Sequence, residues 1–336
     1  MKHLKILLIK LRGDDFLLQN DLVSLIAPFY NGEIYLERFL ISVLGQTYTR
    51  IQFILVNDGS TDGSEFIIKK YESLLKEKFE DFVYLKQENA GAAAAVNTAL
   101  KYVNGEYLCW ADCDDELLSD NIKNKYIFLK NNVEYGMVNC GARAIDQNNG
   151  HVITELSISE DLKKDNMFRQ IINGIPVYPG VFMIRTQILF EKLNDREIYF
   201  NREAGQNYQL LLPVAYNTKC GFINDILYNY FIRLDSHSHN VDYKRSYDRT
   251  YVREELLDHV LEFMPQEEKD NLMETIHNEC CIQRFNLSFN ANDINTNKKN
   301  YKELRKCDKS IKIRTKHFII CNNLINRIYR IRSMKK

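Results

Sequence analysis

Between Leu22 and Ala111 short apolar runs alternate with stretches of helical periodicity, and no other feature restricts the fold so tightly. Val23–Ala27 is apolar at nearly every position and stops at Pro28, which suits a strand buried on both faces. Ile34 to Gln46 then places Leu36, Phe39, Leu40, Val43 and Leu44 on one helical stripe. Ile51–Val56 is a second strand, and Ser60, Thr61, Asp62 and Ser64 offer caps for a helix carrying Ile67, Ile68, Tyr71, Leu74 and Leu75. Phe82–Leu85 is a third strand, Ala90–Val103 an alanine-rich helix, and Glu106–Ala111 a fourth strand that runs into acids. Strand and helix in regular turn mean parallel βαβ units, hence an α/β fold with a Rossmann-like, mainly parallel sheet flanked by helices.

After Asn131 the rhythm changes. Met137–Asp146 and His151–Glu155 flank Gln147-Asn148-Asn149-Gly150, a hairpin pattern. A region through Pro176, Pro179 and Gly180 leads to a helix around Tyr208–Tyr216, then to short strands near Phe222–Ile226 and Tyr228–Ile232. Beyond Tyr243 the pattern is helical, with Val252, Leu256, Leu257, Val260 and Leu261 on one face. The expected divisions are a prelude over 1–21, a first half over 22–131, a second half over 132–242 and a helical extension over 243–336.

The 45 basic and 45 acidic residues cancel, but they are not evenly spread. Lys298 to Lys336 holds fourteen Lys/Arg and two acids, so a tail of +12 follows a body of −12. The tail interleaves its charges with Ile311, Ile313, Phe318, Ile319, Ile320, Leu324, Ile325, Ile328, Tyr329 and Ile331. That pattern suits an interfacial helix on anionic lipid, with a solvated helix packed on the body by the same stripe as the alternative. No nucleic-acid-binding module accompanies the charge. None of the eight cysteines forms a C-x-x-C pair, so a structural zinc site has no support from spacing. Most of them lie in apolar stretches as small hydrophobes, which fits a reducing, cytoplasmic compartment. Met1 to Leu11 lacks a small-residue cleavage site, and no run approaches the ~20 apolar residues of a spanning helix.

In an open parallel sheet, ligands gather at the carboxyl ends of the strands. Here those ends carry Pro28-Phe29-Tyr30-Asn31-Gly32-Glu33, Asn57-Asp58-Gly59-Ser60-Thr61-Asp62 and Asp112-Cys113-Asp114-Asp115. Neither G-x-G-x-x-G nor a Walker sequence occupies the first turn, which counts against dinucleotide and ATP-hydrolysis chemistry. Three carboxylates within four residues repel one another unless a hard divalent cation compensates, and such cations commonly bridge a carboxylate pair to substrate phosphates. Asp114 or Asp115 could instead cap a helix over Leu117–Leu129. Asp58 could accept from a pyrimidine N–H, with Tyr30 or Phe29 stacking on the base, a contact worth roughly 1–3 kcal/mol. Against this, Asp58-Gly59-Ser60 could be an Asx turn and the rings ordinary core.

Leu25-Ile26-Ala27-Pro28-Phe29-Tyr30-Asn31 with Leu36, Val56-Asn57-Asp58-Gly59-Ser60-Thr61-Asp62, Gln87-Glu88-Asn89 with Asn97, and Ala111-Asp112-Cys113-Asp114-Asp115 together resemble family 2 glycosyltransferases of the GT-A fold. Order and spacing fit from about Leu22 to Asn131. The resemblance implies an inverting, nucleotide-sugar-dependent transferase of the bacterial surface-polysaccharide type. On that pattern Asp58 reads uracil or another base, and Pro28, Phe29, Tyr30, Glu33 and Asn97 lie on the nucleotide side. Asp112 lies by the ribose and metal, and Asp114 holds Mn²⁺ or Mg²⁺ against the diphosphate. His237, in Leu234-Asp235-Ser236-His237-Ser238-His239, is a further candidate metal ligand.

The chain departs from the family pattern twice. Many relatives carry Arg before the Asn of the third motif, where this chain has Val96-Asn97. Many also place Glu-Asp before an apolar helix in the acceptor half, with the Asp as base, where this chain has Gln206-Asn207. An amide is no proton acceptor near neutral pH. Glu203 is the nearest carboxylate and the candidate base, Glu33 the alternative, with Gln206 and Asn207 on the acceptor side. The function expected is transfer of a sugar from a nucleotide-diphosphate donor, UDP favoured, to a surface glycan or lipid-linked acceptor at the inner membrane face. A non-catalytic nucleotide-sugar binder is one rival. A sugar nucleotidyltransferase is another, though it should carry a Gly-rich triphosphate loop after the first strand.

Overall fold

The computed structural model describes residues 7–10, 15–156, 166–202, 205–232, 242–307 and 311–322. The first half is built as its apolar runs require. Strands β1 (Leu7–Lys10), β2 (Asp15–Phe29), β3 (Ile51–Asn57), β4 (Asp81–Lys86) and β5 (Gly105–Trp110) alternate from β2 onward with helices α1 (Leu36–Leu44), α2 (Ser64–Lys78) and α3 (Ala92–Leu100). Every residue of β3 is buried, and α1 buries Leu36, Phe39, Leu40 and Val43, the i, i+3, i+4, i+7 stripe. β4, β3, β2 and β5 are neighbours in that order and all parallel. Their register pairs Phe29 with Asn57 and Ile26 with Trp110. The loops after β2, β3 and β5 therefore leave the same edge of the sheet.

Beyond β5 the sheet becomes mixed. Strand β6 (Glu116–Leu117) and helix α4 (Asn121–Asn131) lead to β7 (Tyr135–Asp146) and β8 (Val152–Leu156), the expected hairpin around 147–150. Its turn is closed by Asp146, whose Oδ1 accepts from the Asn148 N–H at 2.8 Å, and by Gly150 at φ +73°. Helix α5 (Met167–Ile172), strand β9 (Phe182–Arg185), helices α6 (Thr186–Phe190) and α7 (Gln206–Ala215), and strand β10 (Lys219–Ile232) complete it. The sheet runs β4-β3-β2-β5-β9-β7-β10-β6, with β9 antiparallel to both neighbours and β7 parallel to β10. The two strands expected over 222–232 are one strand with register shifts on either side of Ile226. The helix expected from Leu117 starts later, at Asn121, because Glu116 and Leu117 are held in register with Asn229 and Tyr228.

The chain divides into two compact units, Met1–Leu234 and Asp235–Lys336. In the second, α8 (Tyr243–Val260), α9 (Gln266–Asn290), α10 (Ile294–Cys307) and α11 (Ile311–Cys321) form the helical extension. Cys281, Phe285 and Leu304 are its buried core, with Tyr301 packed against them. No helix among the described residues is long and apolar enough to cross a membrane.

Candidate active site

The turns after β2 and β3 are laced together by backbone N–H groups and short polar side chains. Asn31 N–H donates to Ser60 Oγ, Gly32 N–H to Ser64 Oγ and Glu33 N–H to Asp62 Oδ2, each at 2.9 Å. In return Asn31 Oδ1 accepts from Thr61 N–H, and Glu33 Oε2 from Gly63 N–H, both at 2.9 Å. Glu33 thus places its carboxylate at the N-terminus of α2, where negative charge is stabilised. The first turn also touches the acid loop, since a methyl group on Gly32 would lie 3.3 Å from Cys113 Sγ.

Asp58 is 3% exposed and organises a third loop. Its Oδ1 accepts from Gln87 Nε2 at 2.8 Å and from the Ala90 N–H at 3.0 Å, and its Oδ2 accepts from the Gly91 N–H at 2.8 Å. A carboxylate offers about four lone-pair sites, so one remains on Oδ2 for an incoming N–H. The turn that Asp58 was a candidate to close is closed by its neighbour: Asn57 Oδ1 accepts from the Ser60 N–H at 2.8 Å. Gly59 is required here, because at φ +76° a Cβ would stand 2.6 Å from the Asn89 nitrogen. Of the two aromatic candidates, Phe29 is core at 4% exposure and Tyr30 presents its ring at 50%. Pro28, near the end of β2 and paired with Val56, is half-buried.

Ligand oxygens of Asp112, Asp114 and Asp115 all lie within 4.8 Å of one another. Asp115 is the anchor of this cluster. Its Oδ2 accepts from the Tyr228 hydroxyl at 2.6 Å and its Oδ1 from the Phe231 N–H at 2.8 Å. The Phe231 N–H is available because edge strand β6 pairs only with Tyr228 and Asn229. Neither Asp114 nor Asp115 caps α4, whose N-cap residue is Asp120. Asp112 accepts no hydrogen bond from the described residues. Burial, then the Asp114 charge, pushes its carboxyl up to about 7. Asp115 is pushed well above the carboxylate range by burial and by its two acidic neighbours. Mutually repelling carboxylates at this depth are a poor protein interior and a good hard-cation site.

Arg38 supplies the compensating positive charge. Its Nη2 donates to the Asp114 carbonyl, both terminal nitrogens donate to Gln147 Oε1 at 3.1 Å, and its Nε lies 3.5 Å from Glu116 Oε1. The guanidinium also stacks 3.5 Å above the Phe231 ring centroid. Two acceptor-half residues approach from α7 and the segment before it. Asn207 Oδ1 accepts from Trp110 Nε1 at 2.8 Å, which ties the start of α7 to the end of β5. Arg202 Nη2 donates to Asn89 Oδ1 at 2.8 Å, beside the loop that Asp58 holds. Asn97 turns to the Ile198 backbone instead, donating to its carbonyl at 2.9 Å and accepting its N–H at 2.8 Å. Gln206 is half-buried at the first position of α7. Glu203 and His237 lie outside the described residues.

Residues 24–193 match the model of glycosyl transferase family 2. The chain belongs to that family. Among curated relatives, the family 2 chain is 40% identical over 119 residues to the glycosyltransferase GlyA of Streptococcus pneumoniae, covering 35% of this chain and 16% of GlyA. It is 29% identical over 224 residues to the minor teichoic acid biosynthesis protein GgaB of Bacillus subtilis, covering 64% of this chain and 23% of GgaB. The chain spans from about a sixth to about half of the length of such relatives. The fold of TarS 1–349 from S. aureus, solved with UDP-GlcNAc, superposes with a TM-score of 0.57 at 18% identity, over 89% of this chain and 79% of that one. A mannosyltransferase from Pyrobaculum calidifontis, solved with GDP-Man and Mn²⁺, gives 0.51 at 16% identity, over 93% and 84%. These likenesses show the fold that the family implies.

Reading the sequence did not single out Arg38, Arg202 or Tyr228. Arg38 sits on α1 between stripe positions, where a solvated charge is the usual occupant. The one signal available was the need of three adjacent acids for a cation, which Arg38 answers in part.

Proposed function

We propose that the chain is a metal-dependent, inverting glycosyltransferase. It would move a sugar from a nucleotide-diphosphate donor, UDP favoured, to a hydroxyl of a surface glycan or lipid-linked acceptor. The observation that carries this reading is the Asp112–Asp114–Asp115 cluster at the strand-end edge shared with the Asp58 loop. The likeness to GlyA, a glycosyltransferase, and to GgaB, a teichoic acid biosynthesis protein, and the nucleotide-sugar complex of TarS support it.

Asp112 and Asp114 would hold the cation, while Tyr228 and Phe231 fix the Asp115 carboxylate behind them. Bound there, Mn²⁺ or Mg²⁺ would supply positive charge against the departing diphosphate. Asp58 accepts the base N–H at its remaining site, with Gln87 and the Ala90 and Gly91 amides fixing the carboxylate. Tyr30 stacks on the base. Arg202, held beside the Asp58 loop through Asn89, would supply the phosphate-directed cation that the chain lacks at Val96. The acceptor hydroxyl attacks the anomeric carbon as the bond to the diphosphate breaks, and its proton passes to Glu203. His237 remains a proposed further ligand. The basic end of the chain is proposed to rest on anionic lipid at the cytoplasmic face.

A second reading has one observation in its favour. The first turn of α7 carries no acid, and Asn207 is committed to Trp110, so a nucleotide-sugar binder without turnover fits that helix. The test is hydrolysis and transfer of UDP-GlcNAc with Mn²⁺. Release of UDP is expected; donor binding with no release over hours supports the binder and overturns the enzyme.

A further inference from the structure

Two tyrosine rings stand beside the acid cluster with no role in holding it. Side chains alternate along β10, so Tyr228 and Tyr230 share one face of the sheet. The Tyr228 hydroxyl reaches Asp115, which places that face on the side of the acids. The segment before β9 packs onto it: a Cβ on Gly180 would come within 1.9 Å of the Tyr228 ring. Two residues earlier, Tyr178 lays its ring against Tyr230, with centroids 4.9 Å apart and planes at 57°. Both rings are half-buried, and neither hydroxyl has a hydrogen-bond partner among the described residues. Burial raises Tyr178, and burial with the three nearby acids raises Tyr230 to about 12, so both stay neutral donors.

Their position along the sheet says which ligand they serve. Asp58 follows β3, two strands to one side of β5, and Tyr230 lies on β10, three strands to the other. The acid cluster follows β5 and reaches across to β10 through Asp115. A donor with its base at Asp58 and its diphosphate at the acids directs its sugar, and whatever attacks that sugar, toward Tyr230. A pyranose carries an apolar C–H face rimmed by hydroxyls, and a pair of tyrosines offers matching apolar faces with polar tips at low entropic cost.

We infer that Tyr178 and Tyr230 form the acceptor subsite, stacking on a pyranose ring of the accepting glycan and setting its preference for cyclic sugars over acyclic polyols. This rests on the glycosyl-transfer reading above. The experiment is saturation-transfer NMR on the full chain loaded with UDP and Mg²⁺. The probes are methyl β-D-glucopyranoside and methyl β-D-N-acetylglucosaminide, with ribitol as the acyclic control. Saturation is expected on pyranoside ring protons and not on ribitol. Tyr178→Ala and Tyr230→Ala should each weaken pyranoside binding about two- to tenfold, while the two Tyr→Phe variants keep it. Tyr→Leu variants retain apolar volume without the aromatic face and replace the alanines if those do not fold. The UDP-induced thermal shift should be the same in all. Pyranoside binding that is absent from the wild type, equal to ribitol, or unaffected by losing the rings overturns the proposal. So does a ring loss that abolishes the UDP shift. A wild type without any UDP shift instead defeats the nucleotide-sugar reading beneath it.

Discussion

Replacing Asp112 by Asn should stabilise the protein when no metal is present. In the folded chain the Asp112 carboxyl is raised from 3.8 to about 7, by burial first and the Asp114 charge second. The folded state therefore holds this proton more tightly than the unfolded state does. Its stability is fully retained below about pH 4 and is lost as pH rises toward 7. At 1.36 kcal/mol per unit, the loss has a ceiling of about 4 kcal/mol. Asp112 is only half-buried, so solvent screening reduces the realised value to about 1–2 kcal/mol. At about 2–4 °C per kcal/mol for a unit of this size, Asp112→Asn should melt roughly 2–8 °C above wild type in EDTA at pH 8. The gap should vanish near pH 4. Added MnCl₂ should reverse the order at pH 8, raising wild type and leaving the variant where it was. Differential scanning fluorimetry at the two pH values, with EDTA or MnCl₂, reads all four states. A variant that melts below wild type in EDTA at pH 8 refutes the claim that these carboxylates are held in repulsion.

Arg38→Ala removes the guanidinium that joins the Asp114 carbonyl, Gln147, Glu116 and the Phe231 ring, and should cost about 1–3 kcal/mol in urea denaturation. Arg38→Lys should not restore it, because an ammonium lacks the planar fork that spans Asp114, Gln147 and Glu116 while lying flat on a ring; full rescue by Lys contradicts the clamp. Glu203→Gln should lower transfer about 10²- to 10⁴-fold in a UDP-release assay with the UDP thermal shift intact, and wild-type rates remove it as the base. Leu304 and Ile320 are buried, so a truncation that spares the helical unit falls after Asn322. It should keep the melting temperature and lose sedimentation with phosphatidylserine liposomes; equal sedimentation of both forms ends the membrane proposal.

The first half of the sheet was legible because its strands are near-continuous apolar runs and α1 keeps a strict stripe. The features that escaped are set by partners far along the chain. Glu116-Leu117 reads as the start of a helix, and becomes a strand because Tyr228 and Asn229, more than a hundred residues later, pair with it. Leu227 reads as a break between strands, and is part of a register shift inside one. In the site, density of acids marked Asp112 and Asp114, and a turn after a buried strand marked Asp58. Local pattern did not show that Asn57 closes that turn, which freed Asp58 to hold the Gln87–Gly91 loop. Nor did it separate Phe29 from Tyr30, since alternation along a strand decides which neighbour faces the core only once the register is known. Asn97 shared its motif with nucleotide ligands, yet its amide serves Ile198, 101 residues on.

Calorimetric titration of UDP into the wild-type chain, in MnCl₂ and then in EDTA, tests most directly whether one cleft holds nucleoside and cation together. Binding at least about tenfold tighter with Mn²⁺, a gain of about 1.4 kcal/mol that Asp114→Asn abolishes, is the expected result. Equal affinity in the two buffers, or a metal effect that survives in Asp114→Asn, would contradict it.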